Sequence, residues 1–141
     1  MRFENPISAE TAFYDAFGRA DHTAMMQVWG SSDDIACVHP MGPRLVGRER
    51  ISESWKMILA GGSQPQFDIR TKFRSNDDNL AVHIVDEIIS TPGSSAQFIP
   101  VLATNVYQRI DGFWFLILHH ASIDSAPREV TSQKRHKFEI N

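Results

Sequence analysis

The chain lacks most of the features that announce a function by themselves. It has one cysteine, Cys37, in 141 residues, so no internal disulfide can form and a disulfide-stapled secreted scaffold is excluded. No apolar run reaches the eighteen or so residues a membrane-spanning helix needs. The opening segment, MRFENP, has none of the apolar stretch that a secretory leader carries. These absences give a cytoplasmic location as the expectation, with no membrane partner. Basic charge is lacking as well. Fourteen Lys and Arg stand against seventeen Asp and Glu, for a net charge of −3, and nucleic acid, which calls for a basic face, is not expected as a partner. The exception is Lys134, Arg135, His136 and Lys137, and a basic run that short reads as a solvated end.

Signature motifs are missing too. Gly42, Gly47, Gly61 and Gly62 form neither GxGxxG nor a phosphate loop, and no serine sits in GxSxG. The six histidines make no HExxH or HxxxH spacing, so no metal and no cofactor are expected. Neither internal repeats nor low-complexity linkers occur.

What remains is enough apolar material for one core: 42% apolar and 10% aromatic residues. Ala12, Phe13, Ala16, Phe17 and Ala20 recur at helical spacing behind Asn5 or Ser8 as caps, predicting a helix over residues 8–20. Asp21 caps a second short helix through Trp29, which Gly30 ends. Residues 35–39 are a short β-type run. Pro40, Gly42, Pro43 and Gly47 then predict a structured loop with no regular element. Ile51, Trp55, Ile58 and Leu59 predict a third helix over 48–60, stopped by Gly61 and Gly62.

From there the period falls from 3.6 to 2. Strands are predicted over 67–74, 80–90, 99–110 and 113–122, with turns at 76–79, 92–95 and 111–112. Helices followed by a meander give an α+β domain, and the polar residues 124–141 read as a tail or arm. Asp111–Gly112 is a strong signal for a two-residue hairpin, and it sets a register. Ile110 faces Phe113, Tyr107 faces Leu116, Asn105 faces Leu118 and Ala103 faces His120. One face then carries Asn105, Tyr107, Trp114, Leu116, Leu118, His120 and Ser122. The other carries Thr104, Val106, Phe113, Phe115, Ile117 and His119. Both are largely apolar, whereas a lone sheet should keep one face wet. Three helices cover one side, so the patch of Val106, Phe113, Phe115 and Ile117 is expected to meet a second copy in a homodimer.

This order of elements, with the segments MQVW (26–29), CVHPMGPRLVG (37–47), SW (54–55), ATNVYQRIDGFW (103–114) and HHAS (119–122), resembles the NTF2-like superfamily. The likeness is to its SnoaL-like, ketosteroid-isomerase-like branch, over about residues 8–123. The resemblance implies a cone-shaped, curved antiparallel sheet wrapped by three N-terminal helices, with a pocket inside the cone and a dimer across the sheet. It also implies a basic residue where this chain has Phe115, a departure that strengthens the case for a covered outer face. Members include isomerases, cyclases, dehydratases and domains that only bind or assemble, so the resemblance gives no reaction.

Within such a pocket the candidates divide by chemistry. Asp86 and Glu87 interrupt an apolar strand, and alternation sends them to opposite faces. The family likeness favours Glu87 as the inward one, in phase with His83 and Val85. A carboxylate there would have a raised pKa and could move protons near neutrality. By analogy with ketosteroid isomerases, Glu87 or His120 would be the base, and Tyr107 or Asn105 the donor to a developing enolate. The resemblance does not assign the isomerases' own catalytic Asp and Tyr to a position in this chain. Trp29, His39, Trp55 and Trp114 are candidates for lining the pocket, with ordinary core packing as the alternative for each. A salt-bridged Glu87 at the cone's edge, and His120 paired with Asn105 as core polar groups, are the corresponding alternatives. The expected ligand is a small molecule. The two functions left open are cofactor-independent acid–base catalysis by an isomerase, cyclase or dehydratase, and a non-catalytic binding or dimerisation module.

Overall fold

The structure is a computed structural model and describes residues 2–61, 64–90 and 100–125. The turn expected at 92–95, the strand start at Ile99, the stop at Gly62 and nearly all of the expected tail lie outside the described residues.

Helix α1 runs Pro6–Arg19. It starts where Asn5 accepts a hydrogen bond from the Ser8 amide at 2.8 Å, with Pro6 in the first turn where its missing N–H costs nothing. It ends at Ala20, in the left-handed region at φ 55°. Asp21 caps α2 (His22–Val28) through the Ala24 amide at 2.9 Å. Strand β1 is Ala36–Val38 and β2 is Arg44–Val46. Then come α3 (Arg48–Leu59), β3 (Gln66–Asn76), β4 (Leu80–Ser90), β5 (Val101–Ile110) and β6 (Phe113–Ile123). The helices and the meander stand where the sequence predicts them. Strand β2 does not, because residues 40–47 were expected to hold no regular element. The breakers serve only the turn, where the Gly42 amide donates to the His39 carbonyl at 2.8 Å and Met41 takes φ 62°. Arg44–Val46 then folds back to pair with β1.

The six strands form one curved sheet in the order β2-β1-β6-β5-β4-β3. All neighbours are antiparallel except β1 and β6, which run parallel. Asp111 and Gly112 both take positive φ, 51° and 86°, as a type I′ turn requires. The register behind them is the expected one as far as Tyr107↔Leu116. It then shifts by one, because Val106 pairs with Leu118 and Ile117 bulges between. Beyond the bulge Asn105 faces His119, Thr104 faces His120 and Ala103 faces Ala121. This corrects the two-face reading. His119 is the inward histidine, at 1% exposure, while His120, Leu118 and Ser122 leave the inner face.

The core fills the space between the helices and the concave face. Phe13, Met25, Trp29, Ile51, Trp55, Tyr107 and Leu116 are all buried there. On the convex side Ile84 and Leu102 are each 39% exposed. Val106, Phe113 and Phe115 are half-buried, and Ile117 leans on the core. Strand β3 is a long free edge. Asp68, Arg70 and Lys72, with a register irregularity between Thr71 and Phe73, keep it from pairing with another sheet.

Candidate functional site

The inward stripe of α1 carries polar groups as well as aromatic ones. Glu10 and Tyr14, one helical turn apart, are both buried beside Phe13. Alternation along β4 puts His83, Val85 and Glu87 on the concave face opposite them. Tyr14 and Glu87 meet, the phenol donating to Oε2 at 2.6 Å. Asn105 on β5 donates from Nδ2 to the Tyr14 oxygen at 3.0 Å. Its Oδ1 lies 2.6 Å from Nδ1 of His119 on β6. Four elements thus contribute one side chain each to a continuous buried chain from Glu87 to His119.

The surroundings set the charges. Burial pushes the Glu87 carboxyl up to about 7, against the pull of the Tyr14 hydrogen bond in the other direction. Burial, then the neighbouring Glu87 charge, holds the Tyr14 phenol well above its ordinary range. Burial, helped by His39 and His120, drives His119 down to about 3. It is a neutral imidazole at any ordinary pH.

A second cluster lies one turn back along α1. Glu10 takes Nη2 of Arg74 at 2.7 Å and Nδ1 of His83 at 3.1 Å. Burial raises its pKa, and the two partners more than offset that, leaving it below the ordinary carboxylate range. The Tyr107 ring sits 5.0 Å from His83. Its hydroxyl is buried and has no hydrogen-bond partner among the described residues. Toward the other end His39 reaches Ser54 Oγ at 3.0 Å and meets Trp55 edge-on at 4.8 Å. Burial lowers the His39 pKa. It raises the Cys37 thiol to about 12, with the Glu87 charge adding to the rise, so this cysteine is inert. Among the described residues no three His, Cys, Asp or Glu side chains are grouped to hold a metal ion.

Of the residues singled out from sequence, Glu87 and Asn105 lie in the central chain and Tyr107 beside it. His39 and Trp55 pack around His119 at 6.4 and 6.1 Å between ring centroids. Trp29 and Trp114 are core residues, and Trp29 also borders a cavity of about 270 Å³ with Met26, Arg48 and Phe115. His120 is not brought to the site. It lies on the convex face in a depression of about 370 Å³ with Ile84, Asp86, Leu102 and Thr104. Sequence reasoning missed Tyr14, His119, Glu10 and His83. An open groove of about 520 Å³ runs between α1 and β3. Glu10, Tyr14 and Gly18 form one wall and Pro65, Phe67 and Ile69 the other.

The family model for the SnoaL-like domain matches residues 8–125, which is most of the chain. The protein belongs to the SnoaL-like family. Among solved structures, a candidate calcium/calmodulin-dependent protein kinase type II association domain from Thiobacillus denitrificans is 32% identical, with a TM-score of 0.83. That match covers 87% of this chain and 98% of the other. A candidate dehydratase of the NTF2-like family from Streptomyces avermitilis is also 32% identical, with a TM-score of 0.76, covering 84% and 93%. A candidate ketosteroid isomerase from Parabacteroides distasonis shares the fold at 21% identity, with a TM-score of 0.69, covering 88% and 96%. The F-box protein SKIP8 of Arabidopsis thaliana is 25% identical over 117 residues, 83% of this chain and 48% of that protein. The chain thus spans about half the length of this curated relative.

Proposed function

We propose that this SnoaL-like domain binds a small, uncharged, largely apolar molecule and exchanges a proton with it at Glu87, with Tyr14 as the neighbouring donor. The observation that carries the reading is the buried 2.6 Å bond between Tyr14 and Glu87, in surroundings that put the carboxyl near 7. A group with that pKa can both accept and return a proton at neutral pH. The burial of Glu87 favours an uncharged ligand, because a second buried anion beside it would be repelled. The groove between α1 and β3, which borders Tyr14, is the proposed approach. Acid–base chemistry of the isomerase, cyclase or dehydratase kind follows from these groups without a cofactor, and one relative at 32% identity is a candidate dehydratase. The second reading is a module that only binds or assembles. The relative at 32% identity that is a candidate association domain favours it. In either reading the convex face, with Val106, Phe113, Phe115 and Ile117, is the proposed contact with a second copy.

Native mass spectrometry of freshly purified protein tests the first reading. It predicts a small-molecule adduct that is lost in Tyr14→Phe and Glu87→Gln. A bare polypeptide mass, together with a Glu87 carboxyl titrating near its ordinary 4.5, would overturn it.

A further inference from the structure

With the Asn105 amide nitrogen turned to Tyr14, the hydrogen bonds from His119 to Glu87 all run one way. Asn105 gives its Nδ2 hydrogen to Tyr14 at 3.0 Å, so its Oδ1 is the atom that meets His119 at 2.6 Å. A carbonyl oxygen has no proton to give, so Nδ1 of His119 carries the hydrogen. The Tyr14 oxygen already accepts from Asn105, and its single proton is committed to Oε2 of Glu87 at 2.6 Å. Phe13, Trp55 and His39 close around the His119 ring at 5.0, 6.1 and 6.4 Å between centroids, leaving it little room to turn.

We infer that His119 and Asn105 are positioning residues: the His119 ring locks the Asn105 amide, and that amide turns the Tyr14 hydroxyl onto Glu87. The inference rests on the role proposed above for Tyr14 and Glu87, but its test needs no ligand. The opposite order is equally drawable on paper. Glu87 would donate to Tyr14, Tyr14 to a flipped Asn105, and Asn105 to a bare Nδ1 of His119. The two orders place the imidazole proton on different nitrogens, and only the first lets Tyr14 support an ionised Glu87. Tyr107 from β5 acts on Tyr14, and His39 after β1 and His120 on β6 act on His119; the Glu87 charge reaches Cys37 in β1, and Glu10, paired with His83 and Arg74, lies one helical turn from Tyr14.

The experiment is nitrogen NMR on ¹⁵N-histidine-labelled protein at pH 8, with the Glu87 carboxyl followed by ¹³C. A His119 protonated at Nδ1 and bare at Nε2 is the expected result. The reverse tautomer overturns the inference. His119→Leu, which cannot donate, is expected to raise the Glu87 midpoint by about half a unit, the share of a charge-assisted bond that cooperativity supplies. His119→Gln, which can donate an amide hydrogen, is expected to restore it. A folded His119→Leu with an unmoved midpoint also overturns the inference. If that variant does not fold, the wild-type tautomer still decides. A wild-type Glu87 midpoint near 4.5 defeats the proposed proton site whichever tautomer is found. A high midpoint with the reverse tautomer defeats only the positioning role.

Discussion

Replacing Glu87 by Gln removes a titrating group while keeping its shape and its acceptor for Tyr14. Glu87 has its folded pKa raised from 4.5 to about 7, so between those values the folded chain holds a proton that the unfolded chain has released. The wild type therefore loses stability as pH rises through that window and reaches a plateau above it. Two and a half units at about 1.4 kcal/mol each make the full penalty about 3 to 4 kcal/mol, and most of it falls between pH 5 and 8. Glu87→Gln carries no such penalty. In urea unfolding followed by tryptophan fluorescence, the variant should be near wild-type stability at pH 5 and more stable by about 2 to 3 kcal/mol at pH 8. The difference between the two curves cancels every other titrating group to first order. Parallel curves from pH 5 to 8 would refute the reasoning, because they would mean Glu87 keeps an ordinary pKa despite its burial.

His119 works in the opposite sense. Its pKa falls from 6.5 to about 3 on folding, so its contribution is present above pH 6.5 and is lost as the pH drops toward 3. His119→Gln should flatten that acid limb in urea titrations between pH 7 and 4. Leu116→Ala empties a fully buried position and should cost about 2 to 5 kcal/mol by chemical denaturation. Phe115→Glu places a charge on the convex face, and sedimentation equilibrium at micromolar concentration should find a dimer for the wild type and a monomer for the variant. A wild type that sediments as a monomer removes the proposed interface.

The elements were legible because their local signals agreed: caps at Asn5 and Asp21, the change of period after Gly61, and the Asp111–Gly112 turn. Strand β2 was hidden because Pro40, Gly42 and Pro43 dominate its neighbourhood, although three residues sufficed to pair with β1. The bulge at Ile117 had no sequence signal at all. Counting back from the hairpin placed Tyr107 and Leu116 correctly, and then assigned the inner position to His120 instead of His119. Glu87 was legible as an interruption of an apolar strand. Tyr14 was not, because an aromatic residue on an apolar helix stripe reads as core. The available signal was Glu10 one turn before it, a carboxylate on the same buried stripe, with His83 and Glu87 in matching phase on β4.

The parallel pairing of β1 with β6 has a kinetic consequence. Ala36 finds its partner in Leu118, so the strand that carries Cys37 cannot dock until nearly the whole domain has been synthesised. Tyr14 and Glu87 are likewise 73 positions apart, and His119 joins them from the last strand described. Early compact states can hold α1 against α2, or β3 against β4, but they have no His119 to lock Asn105. Contacts this distant in sequence slow folding, and the proposed proton site is built from them. The buried surroundings proposed to raise the Glu87 pKa therefore exist only once β6 has joined the sheet.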